Sequence, residues 1–481
     1  MTMSSFDAKR LEEIRASLDH PVIDADGHMV EYMPAVREHL LAVGGESVAS
    51  QFDPVFDSAS LVAGLDESAR RALGLYKLSW WAFPTRNTQD RAVGFLPGLF
   101  AEKAPEIGLD FAVLYPTLGL SAPMADDAEL RGAACRAFNI YYAEVCADDA
   151  ERVRPAAVIP MHTPEEALEE LDFAVSELGF KVAVLPGFVA RPIPGAENIR
   201  GARWLDSYGP DEPAAYDRVW ARCAELGIAP TFHSSGMGWG SRTSQTSYVH
   251  NHIGNFAAGG EAICRSLMLS GVPHRFPELT FAFLEGGVGW GTNLCWDLIS
   301  HLEKRGGRAI EQFSPAELDR AEIEKLFTRY GSESVQRNLD QLDRALHILS
   351  DPDQDKTTLD EFRHSGMKAA EDIGRVFGEQ FFFGCEADDP MTTLAFDPRM
   401  KPPGGRVRPL FSSDIAHWDV PDMRCVLLEA WEMVETERLE VEEFRDFVFQ
   451  NAVDLYCGPN PDFFKGTAVE SAVLSAMGRL A

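Results

Sequence analysis

The sequence predicts a (β/α)8 barrel with large helical and loop insertions, and three observations favour this fold class. Eight short apolar runs follow one another along the chain, and amphipathic stretches with helical periodicity separate them, as in repeated βα units. Several of the runs end in charged residues, which is where strands of this barrel carry active-site side chains. The 481 residues exceed the roughly 250 of a typical barrel, so the surplus is expected in insertions.

The eight predicted strands leave room for a helix after each of them. After the third strand, Thr163 is suited to the N-cap of a helix and Pro164 to its first position, and apolar residues at helical spacing continue to Leu178. The first strand follows an N-terminal stretch that favours a short leading helix. The predicted strands are 21–26, 111–117, 154–161, 181–187, 228–233, 279–285, 380–385 and 408–414.

We predict a single barrel domain over residues 1–481, with insertions near 45–105, 190–213 and 305–375 and a C-terminal arm near 455–481. The first insertion contains the aromatic run WWAFPTRN and is expected to supply a lid. The third is rich in charge and is expected to form a helical decoration. The arm carries apolar residues such as Phe463 and Phe464. We expect it to pack on another subunit of a homo-oligomer, with its own barrel as the alternative.

Composition excludes several classes of protein. The 44 Lys and Arg residues and 75 Asp and Glu residues give a net charge of -31, so we expect no nucleic-acid partner. No apolar run reaches the length of about 18 residues that a membrane span needs, and we expect no membrane association. The eight cysteines include no CxxC pair, which argues against disulfides and a cysteine zinc site. Without a secretion signal, the expected location is cytoplasmic.

Charged side chains at the ends of the apolar strands predict a metal site. Asp26 and His28 finish the first strand, His233 the fifth, Glu285 the sixth and Asp414 the eighth. The carboxyl ends of all strands share one rim of a barrel, and buried ionisable groups are costly unless something neutralises them. A divalent ion is the simplest neutralising partner, and imidazole with carboxylate suits Zn, Mn or Fe. Each residue alone has a structural alternative, such as a hydrogen-bonded histidine or an aspartate N-cap.

Several motifs together resemble the amidohydrolase 2 branch of the amidohydrolase superfamily, whose members are metal-dependent (β/α)8 barrels. The resemblance implies that Asp26, His28, His233 and Asp414 are metal ligands, and that Asp414, Glu285 and His233 act in catalysis. Glu285 stands where several decarboxylases of the family have a histidine. The motifs are VIDADGHMVE, LYPTLGL, YDRVWARCAELGIAPTFHSSG, SGVPHRFPELTFAFLEGGVGW, LFSSDIAHWD and NAVDLYCGPN.

The resemblance leaves the reaction open. The first hypothesis is a hydrolase that acts through a metal-bound water on a small organic, carboxylate-bearing substrate. The alternatives are a non-oxidative decarboxylase and a non-haem diiron monooxygenase with two Fe. A metal-stabilised binding protein is the non-enzyme alternative, which the buried ionisable residues disfavour.

Further polar residues near the strand ends are candidates for a second metal ion or for substrate contacts. Besides Glu285, they are Glu31, His250, His252 and His417. His250 and His252 could equally face a solvated loop, and His417 could equally support Asp414. The loop after the fifth strand supplies Arg242 and Trp239 as candidate substrate-binding residues. Arg242 is suited to a substrate carboxylate, but it could equally neutralise a neighbouring acid.

Overall fold

Eight parallel strands form the barrel that the sequence predicts, and each predicted strand is present. The computed structural model describes residues 6–77, 85–199, 202–236, 242–347 and 356–478. Each strand pairs with the next one along the barrel, in the order β1 to β8. The barrel strands are β1 Ile23–Met29, β2 Phe111–Pro116, β3 Val153–Val158, β4 Val182–Leu185, β5 Pro230–Phe232, β6 Phe281–Phe283, β7 Phe381–Cys385 and β8 Arg408–Phe411.

Hydrogen bonds between β1 and the segment after β8 join the two ends of the sheet. The amide of Asp414 donates to the carbonyl of Asp26 over 3.2 Å, and the amide of His28 donates to the carbonyl of Ile415 over 3.2 Å. The register of β1 on β2 shifts between Asp24 and Gly27. This irregularity lies at the point where the strand passes from core residues to the charged ones.

Helices surround the barrel and fill the insertions. They are α1 Ala8–Ser17, α2 Met33–Gly64, α3 Glu67–Leu73, α4 Thr88–Val93, α5 Pro97–Ile107, α6 Ala128–Val145, α7 Pro164–Asp172, α8 Asp217–Leu226, α9 Tyr248–His252, α10 Asn255–Ser270, α11 Val272–Arg275, α12 Gly289–Arg305, α13 Arg320–Tyr330, α14 Glu333–Gln336, α15 Leu342–Leu346, α16 Lys356–Leu359, α17 Ala370–Glu379, α18 Val426–Glu435, α19 Val441–Arg445, α20 Asn451–Cys457 and α21 Glu470–Ala476.

Shorter turns complete the list of elements. The 3₁₀ turns are Gly119–Met124, Ala147–Asp149, Gly307–Phe313, Pro315–Glu317, Leu339–Gln341, Pro390–Ala395 and Met423–Cys425, and π turns follow α7 at Phe173–Glu177 and α19 at Asp446–Gln450.

The capping pattern predicted after β3 is present. The side chain of Thr163 accepts a hydrogen bond from the amide of Glu166, and Pro164 occupies the first turn of α7. Because the side chain satisfies an amide that the helix itself leaves without a partner, the helix begins at this residue. Its buried face includes Ala167 and Leu171, which point toward the barrel.

The three predicted insertions have different structures. In the first, α2 breaks at Gly45, which has a φ of 71°, and the run at 78–84, with most of the predicted lid motif, lies outside the described residues. The second contains an antiparallel hairpin of Val189–Pro192 and Arg203–Asp206, which the sequence did not predict. In the third, the described residues form several short helices.

The C-terminal arm packs on its own barrel, so the preferred expectation of a contact with another subunit is replaced by the alternative. The rings of Phe463 and Tyr456 stack with centroids 4.4 Å apart, and Phe464 contacts Phe111 of β2. Lys181 donates to the carbonyl of Phe463 over 3.1 Å. The apolar residues that suggested a homo-oligomer are therefore covered within the chain, and the homo-oligomer stays a prediction.

Two sequence-based expectations concern the interior and the surface. All eight cysteines are buried, as expected for small apolar side chains rather than reactive thiols. Among the helices of the described residues, none is both long and apolar enough to cross a membrane.

Candidate metal centre and active site

Asp26 and His28 come together at the carboxyl end of β1, as predicted from their position at the end of the first strand. The Nε2 atom of His28 lies 3.6 Å from Oδ1 of Asp26, and both side chains are buried. The Nδ1–H of His28 donates to the carbonyl of Pro116 over 3.3 Å. This hydrogen bond leaves the lone pair on Nε2, which is the atom that faces the carboxylates.

Residues from β5, β6 and β8 complete the cluster. Oδ1 of Asp414 lies 3.3 Å from Nε2 of His28, and the rings of His28 and His233 contact each other edge to face with centroids 4.8 Å apart. Nε2 of His233 lies 2.7 Å from Oε2 of Glu285. The structure therefore brings together all five strand-end residues that the sequence singled out.

The polar atoms of this cluster lack hydrogen-bond partners although they are buried. These atoms are both carboxylate oxygens of Asp26 and of Asp414, Nε2 of His28, both ring nitrogens of His233 and Oε2 of Glu285. Buried polar groups in proteins are nearly always hydrogen-bonded. A lone pair on His28 that faces two carboxylates is repelled by them unless a cation lies between. The unsatisfied atoms therefore fit a divalent ion.

Two overlapping sets of side chains offer ligand atoms within 4.8 Å of one another. One set is Asp26, His28 and His233, and the other is His28, Glu285, Asp414 and His417. Nitrogen and carboxylate oxygen in this combination suit Zn, Mn or Fe. The four predicted ligands lie within these two sets, which share His28.

Burial shifts the pKa of each side chain in this cluster in the direction that favours its neutral form. Burial, with the neighbouring acids Asp419 and Glu285, raises the pKa of Asp414 well above its usual value, and burial raises that of Glu285. Burial, followed by the neighbouring His417 and His233, lowers the pKa of His28. A bound cation would reverse the shifts of the carboxylates, because it stabilises their charged form.

The backbone is strained at Glu285 and Asp414, the carboxylates that end β6 and β8. Glu285 has a φ of 54° and Asp414 a φ of 53°, and Ala416 follows with 75°. Residues other than glycine rarely adopt this left-handed conformation, which costs of order 1–3 kcal/mol and concentrates at functional sites. The strain marks the ends of β6 and β8 as positions at which side-chain direction is enforced.

His417 lies against Asp414 and against the first strand. Its Nδ1 atom is 2.5 Å from Oδ1 of Asp414, and its ring stacks on His28 with centroids 3.9 Å apart. Nε2 contacts the hydroxyl of Thr117 over 3.0 Å. These contacts favour the interpretation that His417 supports Asp414, and His417 also belongs to one of the ligand sets.

Glu31 lies apart from these sets. Its carboxylate accepts hydrogen bonds from the amides of Thr117, Leu118 and Gly119 over 2.8 to 3.1 Å and from the hydroxyl of Tyr142 over 2.6 Å. Four donors occupy the carboxylate, so Glu31 holds the turn after β2. Glu31 is therefore no candidate ligand for a second metal ion.

Asp24 likewise acts within the protein scaffold. Its carboxylate accepts from the amide and the hydroxyl of Ser413 over 3.0 and 2.5 Å and from the amide of Asp26 over 3.2 Å. Burial raises its pKa to about 6, although these hydrogen bonds act to lower it. An added Cβ on Gly27 would lie 2.8 Å from Oδ2 of Asp24, so this close contact requires glycine.

The two histidines of α9 lie in different environments. His250 is exposed, and its Nδ1 atom lies 3.3 Å from the side-chain oxygen of Asn251, so it lies away from the cluster. His252 stacks on Tyr248 with centroids 5.1 Å apart and lines a cavity at the mouth of the barrel. Only His252 remains a candidate for contact with a substrate.

The two predicted substrate-binding residues are not established by the structure. The guanidinium of Arg242 donates to the carbonyls of Ile253 and Gly254, which anchors the loop before α10. Trp239 lies outside the described residues.

A cavity of about 370 Å³ opens beside Glu285 and extends to the loop after β7. Glu386, directly after β7, lies with Glu285 and Asp419 in a further group of close carboxylates. A second cavity, of about 320 Å³, shares Glu386 and contains Asp414 and Asp419. The candidate residues from the sequence omitted Glu386, although it ends an apolar strand in the same way as Glu285.

Comparison with known proteins agrees with this fold. The sequence profile of the family described as Amidohydrolase matches residues 33–336, which is more than half of the chain. The chain belongs to the amidohydrolase family. The predicted family is confirmed, and with it the prediction of an enzyme. The matched range contains His233 and Glu285 and leaves out Asp26, His28 and Asp414. The barrel geometry is therefore the observation that joins these two groups of residues in one site.

Solved structures show the same fold at low sequence identity. An amidohydrolase from Mycobacterium avium subsp. paratuberculosis K-10 is 18% identical, with a TM-score of 0.55, and the alignment covers 92% of this chain and 100% of that one. A 2,6-dihydroxybenzoate decarboxylase from Rhizobium is 16% identical, with a TM-score of 0.50 and coverages of 91% and 98%. No curated protein matches the sequence.

Proposed function

We propose that this amidohydrolase is a metal-dependent hydrolase that acts on a small organic molecule at the carboxyl end of its barrel. The observation that carries the proposal is the set of buried ligand atoms without hydrogen-bond partners that meet beside an open cavity. Asp26, His28, His233 and Asp414 would hold the ion. A divalent ion there supplies Lewis acidity toward a substrate oxygen and lowers the pKa of water.

Asp414 is the proposed proton acceptor for the attacking water. The carboxyl group of Asp419 is the neighbour that, after burial, does most to raise the pKa of Asp414. A carboxylate beside the attacking water can take up its proton and later return it to the leaving group. His417 fixes the orientation of Asp414 through the contact described above.

Glu285 would contact the substrate beside His233, which is one of the proposed metal ligands. Their closest atoms are 2.7 Å apart without the alignment of a hydrogen bond, as expected for two atoms that face a common third atom. Glu285 also lines the cavity, so its carboxyl group can contact the bound molecule. These side chains exclude water from one face of the substrate.

Decarboxylation is the second candidate, and the position of Glu285 favours it. Burial raises the pKa of this residue, and a protonated carboxyl group at the cavity could deliver a proton to a carbon atom. The Rhizobium structure with the same fold is a decarboxylase. A diiron oxygenase would require two iron ions, for which the two overlapping ligand sets offer side chains.

The test is to incubate the metal-loaded enzyme with panels of amides, esters, lactones and hydroxybenzoates in ¹⁸O-labelled water. Hydrolysis incorporates the label into the acid product and releases no CO2. Release of CO2 without incorporation supports decarboxylation and contradicts hydrolysis. Asp414→Asn should abolish turnover, and the exposed His250→Ala, in the same part of the barrel, serves as the matched control.

A further inference from the structure

The mouth of the barrel is lined by acidic side chains that the proposed chemistry does not use. Glu386, Asp388 and Asp389 follow β7 directly and line the larger cavity together with Glu285. The smaller cavity shares Glu386 and Asp388. Among the described residues, no Lys or Arg lines either cavity. A single divalent ion brings two positive charges, whereas four acidic side chains line the larger cavity alone.

These carboxylates lie close enough to repel one another. Ligand oxygens of Glu285, Glu386 and Asp419 lie within 4.8 Å of one another. Oε2 of Glu285 is buried without a hydrogen-bond partner, and Oδ1 of Asp419 also lacks one. Burial and the neighbouring acids raise the pKa of Glu285 and of Glu386, and a cation between the carboxylates would stabilise their charged forms. The cavity is therefore built to receive positive charge.

Aromatic rings form another part of the same lining. His252 and Phe256 line the larger cavity, and Trp418 lines the smaller one. The ring of Trp418 meets that of His252 edge to face with centroids 5.3 Å apart. Aromatic faces beside carboxylates attract organic cations, because the negative face of each ring adds to the electrostatic attraction.

The same features disfavour an anionic substrate. The expectation of a carboxylate-bearing substrate depended on Arg242, and the guanidinium of this residue donates to backbone carbonyls of the loop. A substrate carboxylate in the cavity would lie among Glu386, Asp388 and Asp389, so its approach would cost free energy.

We propose that the enzyme takes a substrate that carries an organic cation, an ammonium or guanidinium group, and that Glu386 and Asp388 bind this group while the reacting carbonyl lies at the metal site. This inference rests on the proposed function for the position of the reacting group. It identifies the acidic loop after β7 as the specificity-determining element. Asp388 is exposed and lines both cavities, so it can act without taking part in the metal centre.

The test measures binding of three probes that share a phenethyl group and differ in charge to the full-length, metal-loaded protein. The probes are phenethylammonium, phenethyl alcohol and phenethylsulfonate, and calorimetry gives the Kd of each. We expect the ammonium to bind about tenfold more tightly than the alcohol and the sulfonate to bind most weakly. High salt should weaken only the binding of the ammonium.

Two variants connect the effect to the loop. Asp388→Asn and Glu386→Gln should each weaken ammonium binding by about three- to tenfold and leave binding of the alcohol unchanged. Glu278→Gln is the matched control, because Glu278 is exposed and precedes β6 at the opposite end of the barrel, and it changes the net charge equally. This control should bind the ammonium as the unsubstituted protein does.

Three results would overturn the inference. The alcohol or the sulfonate could bind as tightly as the ammonium, or Glu278→Gln could weaken ammonium binding as much as Asp388→Asn does. A second metal ion per chain, lost in Glu386→Gln, with no ammonium binding would assign the carboxylates to metal instead. Ammonium binding without label incorporation in any assay would contradict the proposed hydrolysis and leave the cation site in place, so the two failures are distinguishable.

Discussion

Individual carboxylates in this protein have different roles that their sequence context does not reveal. Asp24 and Asp26 are two residues apart on one strand, yet Asp24 is held by Ser413 whereas the oxygens of Asp26 have no hydrogen-bond partner. Glu31, near the same strand, is held by four donors. The difference depends on which donors the fold places nearby, so only the unpartnered side chain is a strong candidate ligand.

Removing the carboxylate of Asp24 should destabilise the junction between β1 and β8. Asp24→Ala leaves the amide and hydroxyl of Ser413 and the amide of Asp26 without their acceptor, and we expect the free energy of unfolding to fall by about 2–4 kcal/mol. Ser413→Ala removes only the hydroxyl donor and should cost about 1 kcal/mol. Urea unfolding of the metal-free proteins measures both. Equal stability of the two variants would refute this role of Asp24.

Glu31 should matter for stability and leave metal content unchanged. In Glu31→Gln one carboxylate oxygen becomes an amide donor that faces a backbone amide, so we expect a loss of about 1–3 kcal/mol in the free energy of unfolding. Chemical denaturation and elemental analysis of the same preparation check the two parts. A variant with unchanged stability and less metal would restore Glu31 as a ligand.

At the scale of elements, strand ends and helix caps are predictable from sequence, and the partners of long segments are not. All eight strands and the cap at Thr163 follow from local apolar patterns and capping chemistry. The hairpin Val189–Pro192 with Arg203–Asp206 was missed because its two short strands give no alternation of apolar and polar side chains. The sequence left the position of the C-terminal arm open between another subunit and its own barrel, because its apolar residues suit any apolar surface.

The arm offers a direct test at this scale. Phe463 is buried against Tyr456, so Phe463→Ala should lower the free energy of unfolding by about 3–5 kcal/mol through the cavity it leaves. Because the contact lies within one chain, the difference in Tm between the variant and the unsubstituted protein should not depend on protein concentration. Thermal unfolding over a range of concentrations measures this. Dissociation of an oligomer in the variant, at unchanged unfolding, would contradict the packing of the arm on its own barrel.

For the whole molecule, the barrel accounts for why distant residues form one site. Asp26 and Asp414 are far apart in sequence, and their backbones are joined by a hydrogen bond at the junction of β1 and β8. This proximity was predictable because all strand ends share one rim. The sequence did not identify the acidic loop after β7, which carries Glu386 and Asp388. The role of this loop depends on the cavities that the folded loops enclose.

The central claim is that the buried cluster binds a divalent metal ion, and elemental analysis of protein purified without added metal tests it most directly. We expect about one Zn, Mn or Fe per chain in the unsubstituted protein and in His250→Ala, whose side chain is exposed. Asp26→Ala and His233→Ala, which each remove a proposed ligand, should lose the ion. Unsubstituted protein with no bound metal, or equal metal content in all four proteins, would contradict the account.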